Sequence, residues 1–280
     1  MNRRYLLLLI VALALLVCAF SHEPQRPPFV FAVVGDLQQP DDSAEYRPVT
    51  KRIMQEIAAG EAEFLVIVGD LVEDHGQTAE LAKKRWQAFD RVIQPLRNAG
   101  KKIYAVPGNN DFSHEESQAQ YQQRFPSTPN FFIEQGVVFL LLNSEQEGTG
   151  YRDWGLGSQQ TAWLRNMPWI SQVDDAKPLV LAFLHRPVFR SEIMKMDPQG
   201  HYGRNKPDVA RLLDEAGIAA VFSGHEHLYD RRHVRGMDFF ITGGGGANLL
   251  PTGFHHYLLV KINPKKKEYR ITVKRVSPTG

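Results

Sequence analysis

The stretch Phe29-Val30-Phe31-Ala32-Val33-Val34-Gly35-Asp36-Leu37-Gln38 decides the fold. Its first six residues are apolar without alternation, which marks a strand buried on both faces. The run stops at Gly-Asp, where the backbone can turn and a carboxylate appears. The same figure returns at Phe64-Leu65-Val66-Ile67-Val68-Gly69-Asp70. Between the two, residues 44–59 place Ile53 and Ile57 four apart and end at Gly60, which predicts a helix. Strand, helix and strand in that order argue for an α/β fold, because parallel strands need a crossover that covers the sheet.

Residues 78–98 predict a second helix, with Trp86, Phe89, Ile93 and Leu96 on one side and Gly100 as its stop. The strand Lys102–Val106 follows and ends at Pro-Gly. Residues 137–142 and 179–184 predict two more buried strands, with a helix over 158–170 between them. A helix over 208–216 leads to a strand at 219–222. From Leu228 onward the chain reads as successive strands, among them Met237–Thr242, 257–262 and 269–273, with Lys265-Lys266-Lys267 as a solvated turn. The strand-rich tail predicts a second sheet packed on the first, hence a two-sheet α/β sandwich flanked by helices. No internal repeat, low-complexity tract or domain boundary shows after residue 29.

The chain has 280 residues, 43% hydrophobic and 23% charged, which excludes disorder or a coiled coil as its main state. Its single cysteine excludes an intrachain disulfide and any four-cysteine zinc or iron–sulfur site. Any metal must be held by histidine, carboxylate or amide. A formal charge of +2 carries no basic signature, so no nucleic-acid partner is expected.

Residues 1–19 read as a leader. Arg3 and Arg4 precede an uncharged run from Tyr5 to Phe20, short for a membrane-spanning helix. A cleaved signal peptide, cut after Ala19, fits best. An uncleaved N-terminal membrane anchor comes second. A lipoprotein signal at Cys18 comes third, since Val17 stands where that signal wants Gly, Ala or Ser. All three place the bulk of the chain outside the cytoplasm, as a periplasmic, secreted or membrane-tethered protein. The chain has 33 basic and 31 acidic residues, and Arg3 and Arg4 account for the difference. Residues 20–28 form a proline-rich linker, and 29–280 the domain.

Polar, metal-competent residues follow the ends of five apolar strands. They are Asp36 and Gln38, Asp70, Asn109-Asn110-Asp111, His185, and His225 with His227. Ligands of open α/β sheets gather at such strand ends. In an extended segment, residues two apart point the same way, so Asp36/Gln38 and His225/His227 can each aim two groups at one site. Carboxylates, amides and imidazoles without thiolates suit zinc, manganese or iron. A central Asp70 can bridge two ions. Asp111 and Asp74 read as turn-stabilising residues, and Gly243–Gly246 as a tight loop beneath the site. Residues 189–206 read as a loop over the site. Arg186, Arg190 and Arg204 read equally as substrate-phosphate contacts or as solvated charge. His22, His233, His255 and His256 show no partner pattern.

These motifs resemble those of the calcineurin-like metallophosphoesterases, the group that includes purple acid phosphatases. The matching pieces are Gly35-Asp36-Leu37-Gln38, Gly69-Asp70, Gly108-Asn109-Asn110-Asp111, His185-Arg186-Pro187 and Gly224-His225-Glu226-His227, in order over roughly residues 29–262. The resemblance implies one metal held by Asp36, Asp70 and His227, with Gln38 as a fourth ligand. It implies a second held by Asp70, Asn109, His185 and His225. It implies a phosphate-ester substrate, hydrolysed by a metal-bridging hydroxide between two Mn, Zn or Fe ions, with Asn110, Asp70 and His185 as the catalytic group.

Three positions depart from the family pattern. Gln38 replaces a histidine, so the first metal binds through a weaker neutral donor. Glu73 stands where purple acid phosphatases carry a tyrosine, so no purple chromophore is expected. Asn110 replaces a histidine and cannot act as a general acid. The leaving-group proton then comes from His75, His114, His201 or water. The alternative reading is a non-catalytic metal-binding or scaffold protein on the same fold.

Overall fold

In the computed structural model, which describes residues 26–73, 78–145, 154–173, 175, 177–194 and 205–278, β1 (Phe29–Val34) is buried along its whole length. The expected leader and most of the linker lie outside the described residues. β1 pairs in parallel with β2 (Phe64–Val68), and β2 in parallel with β3 (Lys102–Val106). On its other side β1 pairs antiparallel with β10 (His256–Asn263), which pairs with β11 (Glu268–Arg275). The first sheet therefore runs β11-β10-β1-β2-β3. The second contains β4 (Asn130–Glu134), β5 (Val137–Leu141), β6 (Val180–Phe183), β7 (Ala220–Ser223), β8 (Tyr229–Val234) and β9 (Met237–Thr242). Its order is β4-β5-β6-β7-β9-β8.

The two sheets face each other across an aromatic layer. Phe31 stacks on Phe64 at 5.1 Å and meets Phe139 edge-on at 5.2 Å, and Phe222 stacks on both Phe183 and Phe240 at 5.1 Å. Burying each such ring contributes about 2–3 kcal/mol. The alternate residues of β1, Ala32 and Val34, face the other way. There they pack under α1 (Pro48–Ala59), α2 (Ala79–Val92), α3 (Gln94–Asn98) and α4 (Glu115–Arg124) through Ile53, Phe89, Leu96 and Tyr121. The second sheet is covered in the same way by α5 (Gly157–Asn166) and α6 (Pro207–Glu215), through Leu164 and Leu213. The expected α/β sandwich is present as four layers.

Several boundaries differ from the sequence expectation. The first helix starts at Pro48, whose fixed φ and missing N–H suit a first turn. The helix expected over 78–98 breaks at Ile93, because Pro95 cannot donate into the ladder. α4 and β4 escape the sequence reading altogether. α4 buries only Ser117 and Tyr121, so its apolar period is nearly silent. β4 turns into β5 through Gln135 and Gly136, both at positive φ, a tight hairpin geometry. The lysine turn lies where expected, between β10 and β11. Among the described residues no helix is long and apolar enough to cross a membrane.

His256 opens β10 and is fully buried beneath the glycine loop that follows β9. Its Nδ1–H donates to the Phe254 carbonyl at 2.8 Å, and Thr242 Oγ1 lies 3.2 Å from Nε2. Burial, then the nearby His255 and Arg275, pull its pKa down to about 4. The unfolded chain therefore takes up this proton first as pH falls. Stability attributable to His256 is intact above about pH 6.5, declines toward pH 4 and levels off below it. The span is on the order of 3 kcal/mol. Urea titrations should show a flatter stability profile between pH 6.5 and 4 for His256→Phe than for the parent chain; an unchanged slope would remove His256 as the cause.

Candidate metal centre

The expected site residues lie on loops at the C-terminal ends of the strands, and their backbones are not extended. Asp36, Asp70 and His225 have φ of 59°, 51° and 69°. Such left-handed geometry at non-glycine residues is held only where the surroundings enforce it. Here the loops are laced together. Asp36 N donates to Gly69 O, Leu37 N to Asp70 O, Ala247 N to Asp36 O, and Gly224 N to His185 O. The same-side argument for residues two apart is therefore corrected, since these loops turn at the first residue of each pair. Gly108 and Gly224 permit the close approach. A Cβ on the first would overlap the Asp70 carboxylate, and one on the second the Asp36 carboxylate.

Two overlapping clusters result. Asp70, His185 and His225 bring one ligand atom each within 4.8 Å of one another, and Asp36, Asp70 and His227 do the same. Asp70 belongs to both. His185 Nε2 lies 3.4 Å from Asp70 Oδ1, 3.2 Å from Asn109 Oδ1 and 3.2 Å from His225 Nδ1. His227 Nε2 lies 3.4 Å from Asp36 Oδ1. The outer ring nitrogens set the tautomers. His185 Nδ1 is 2.9 Å from Val68 O and His227 Nδ1 is 2.6 Å from Asn248 O. A carbonyl only accepts, so both rings donate there and present Nε2 inward. His225 is turned the other way, with Nδ1 inward and Nε2 3.3 Å from Arg186 Nη1.

The electrostatics favour added positive charge. Burial pushes the Asp36 carboxyl up against the pull of His227. Burial also acts to raise Asp70, but His185 and the Asn110 N–H outweigh it and hold the carboxyl below its usual value. Burial disfavours a charged His185, yet Asp70, Asp36 and Glu145 raise it to about 10. The carboxylates thus demand a cation between them, and a metal ion meets that demand as a proton does. Gln38 Oε1 and Asn110 Oδ1 are buried acceptors without a hydrogen-bond partner among the described residues. Hard and borderline oxygen and nitrogen donors around a buried anionic centre fit Mn, Zn or Fe.

The flanking residues are placed as follows. Gln38 Nε2 reaches toward Glu73 Oε2 at 3.5 Å, and both metal-competent clusters close without Glu73. Asn110 holds Asp70 twice, N to Oδ1 and Nδ2 to Oδ2, each at 2.9 Å. Asp111 accepts from Leu71 N, Val72 N and Gly108 N, which ties the second loop to the third. Gly245 donates to Gly35 O, so the glycine loop does lie under Asp36. Arg186 is buried rather than solvated, and its Nε meets Glu145 at 2.8 and 2.9 Å. Arg190 lies 3.9 Å from the buried Glu226. His114 is exposed, and its Nδ1 accepts from Glu116 N to cap α4. Asp74, His75, His201 and Arg204 lie outside the described residues.

One supporting residue went unread. Arg85 is completely buried, and its guanidinium donates to the carbonyls of Glu73, Asp41, Pro40 and Ser43. It clamps the loop after β1 to the loop after β2. Its signal was an arginine beside Trp86 on the apolar side of a helix.

The profile of the calcineurin-like phosphoesterase family matches residues 29–229. A probable purple acid phosphatase 20 of Arabidopsis thaliana is 26% identical over 82% of this chain, which spans 54% of that protein. The serine/threonine-protein phosphatase CPPED1 of Bos taurus is 27% identical over 74% of the chain and 66% of its own length. Among solved structures, a purple acid phosphatase from yellow lupin seeds superposes with a TM-score of 0.67 at 17% identity, over 90% of this chain and 52% of its own. A dimetal phosphatase from Danio rerio gives 0.58 at 16% identity, over 88% and 96%. The chain thus spans only about half the length of the purple acid phosphatases it matches.

Arg85→Met should remove the clamp while keeping the aliphatic stem. Four carbonyls then lose their donor, and stability in urea should fall by roughly 2–4 kcal/mol. A loss below about 0.5 kcal/mol would mean that the loops hold without it.

Proposed function

The chain belongs to the calcineurin-like phosphoesterases, and from that premise we propose that it is an exported, dinuclear metal-dependent hydrolase of phosphate esters. The observation that carries the reading is the pair of donor clusters that share Asp70. Asp36, Asp70 and His227 would hold one ion, with Gln38 Oε1 as a neutral fourth donor. Asp70, Asn109, His185 and His225 would hold the other. When bound, such a pair supplies Lewis acidity to phosphoryl oxygens and makes water nucleophilic near neutral pH.

The chain's own residues prepare that chemistry. Val68 O and Asn248 O fix two imidazoles with Nε2 inward. Asn110 orients both oxygens of Asp70, which makes it a positioning residue whose amide N–H is directed to Asp70. No asparagine can supply the leaving-group proton, so that proton comes from water or from His75, His114 or His201. Glu73 in place of a tyrosine leaves the centre without a tyrosinate chromophore. The basic, apolar start of the sequence supports export, either through a cleaved signal or with the domain tethered by an uncleaved anchor.

Purified chain should be loaded with Mn, Zn or Fe and offered phosphomonoesters and phosphodiesters. Hydrolysis is expected, with close to two ions retained per chain. Asp70→Ala should lose both ions and roughly 10³-fold or more in kcat/KM. Asn110→Ala should lose about 10–100-fold, as expected when a group orienting a ligand is removed. Full activity in Asp70→Ala would sink the assignment. Fewer than one ion per chain, with no turnover, would return the scaffold reading.

A further inference from the structure

A cleft of about 430 Å³ is lined by residues of the segments that follow Asn110 and β5. Its position ties it to the site. Phe112, on its floor, is two residues beyond Asn110. Asn143 and Glu145, on its wall, follow β5, the neighbour in the sheet of β6, which ends two residues before His185. One guanidinium separates the wall from the site, since Arg186 meets Glu145 with Nε and lies 3.3 Å from His225 Nε2 with Nη1.

The wall has a distinct chemistry. Glu145 is its one charged side chain among the described residues, and Arg186 neutralises it. A leaving group bearing a second phosphate or a carboxylate meets no cation there. The floor is aromatic, with Phe112 edge-on to Tyr121 at 5.3 Å. The Tyr121 hydroxyl donates to Ala105 O and so offers the cleft only its ring. Gln160 is committed to the framework, because its amide binds Asn143 N, Asn143 O and Leu156 O and fixes the Asn143 loop. Gln118, half-buried, and the exposed Gln122 and Gln159 line the cleft from α4 and α5, and their side-chain amides make no hydrogen bond among the described residues. Each presents two donors and an acceptor. Three neutral carboxamides in a cleft also lined by the Phe112 and Tyr121 rings match a molecule with adjacent hydroxyls and an apolar carbon face.

We propose that this cleft binds the organic part of the phosphate ester, and that this part is an uncharged polyhydroxyl group such as a sugar or polyol. The proposal rests on the phosphoesterase reading and narrows it to a substrate class. The phosphoryl group lies toward the shared Asp70, and the alcohol it leaves behind lies against Phe112 and the glutamines. A cleft built to hydrogen-bond hydroxyls discriminates against esters that lack them.

The test compares a hexose phosphate, glycerol phosphate, p-nitrophenyl phosphate and a phosphoserine peptide on metal-loaded protein. It uses the parent chain and a Gln118→Leu/Gln159→Leu variant. The parent should prefer the hexose phosphate to the peptide. In the variant, the ratio of kcat/KM for hexose phosphate to that for p-nitrophenyl phosphate should fall at least tenfold. A second arm measures saturation-transfer NMR of the free hexose with metal-free protein, where the parent should give signal and the variant lose it. Turnover with an unmoved ratio, or preference for the peptide, overturns the proposal. If no ester is turned over with any metal, the hydrolase reading has failed, and the NMR arm still decides the cleft: no hexose signal from the parent chain overturns it.

Discussion

Two carboxylates, Asp36 and Asp70, are buried at the ends of adjacent parallel strands, and much of the molecule is arranged around the cost of keeping charge there. An isolated carboxylate in such a place is strongly disfavoured unless it is paired and hydrogen-bonded. Each therefore collects donors. Asp36 takes the His225 N–H on both oxygens, and Asp70 takes the backbone and side chain of Asn110. Three imidazoles close the remaining approaches. Burial raises the Asp36 carboxyl, and the charges of Asp70, Asp36 and Glu145 raise His185 against its own burial.

Holding those groups close requires backbones that come closer than side chains normally allow. Glycines stand at the points of contact, and three non-glycine residues accept left-handed geometry because hydrogen bonds from neighbouring loops leave them no alternative. The framework under the loops is stiff. An aromatic layer joins the two sheets, and Arg85 and Asp111 lock the first three loops to one another. Rigid strands below and strained loops above are the arrangement expected where geometry serves chemistry. The cleft beside the site is walled differently, by neutral amides on α4 and α5, and so suits the part of a substrate that carries no charge.

The composition of the site was legible because each candidate terminates an apolar run. The run alone says that a strand ends there, and Asp36, Asp70, Asn109, His185 and the His225/His227 pair stand at those ends. The α/β class followed from the alternation of runs with helical spacing. What escaped depends on contacts distant in sequence. Arg186 read equally as a substrate-phosphate contact or as solvated charge, and its partner Glu145 lies 41 residues away. Arg85 went unread, and its partners lie 12 to 45 residues away, on the loops after β1 and β2. α4 and β4 were silent because one buries almost nothing and the other is defined by its turn.

Apart from α4 and β4, the sequence by itself determined the order of strands and helices, the burial of the sheets and the list of polar groups at the strand ends, because those are properties of local pattern. The tertiary structure alone decided which nitrogen of His185 and His227 faces inward, since that is set by the carbonyls of Val68 on β2 and Asn248 in the loop after β9. It likewise brought the ligand atoms of each cluster within 4.8 Å of one another and formed an amide-lined cleft next to the loop after Asn110. Proximity across strands is fixed by packing, and no local pattern encodes it.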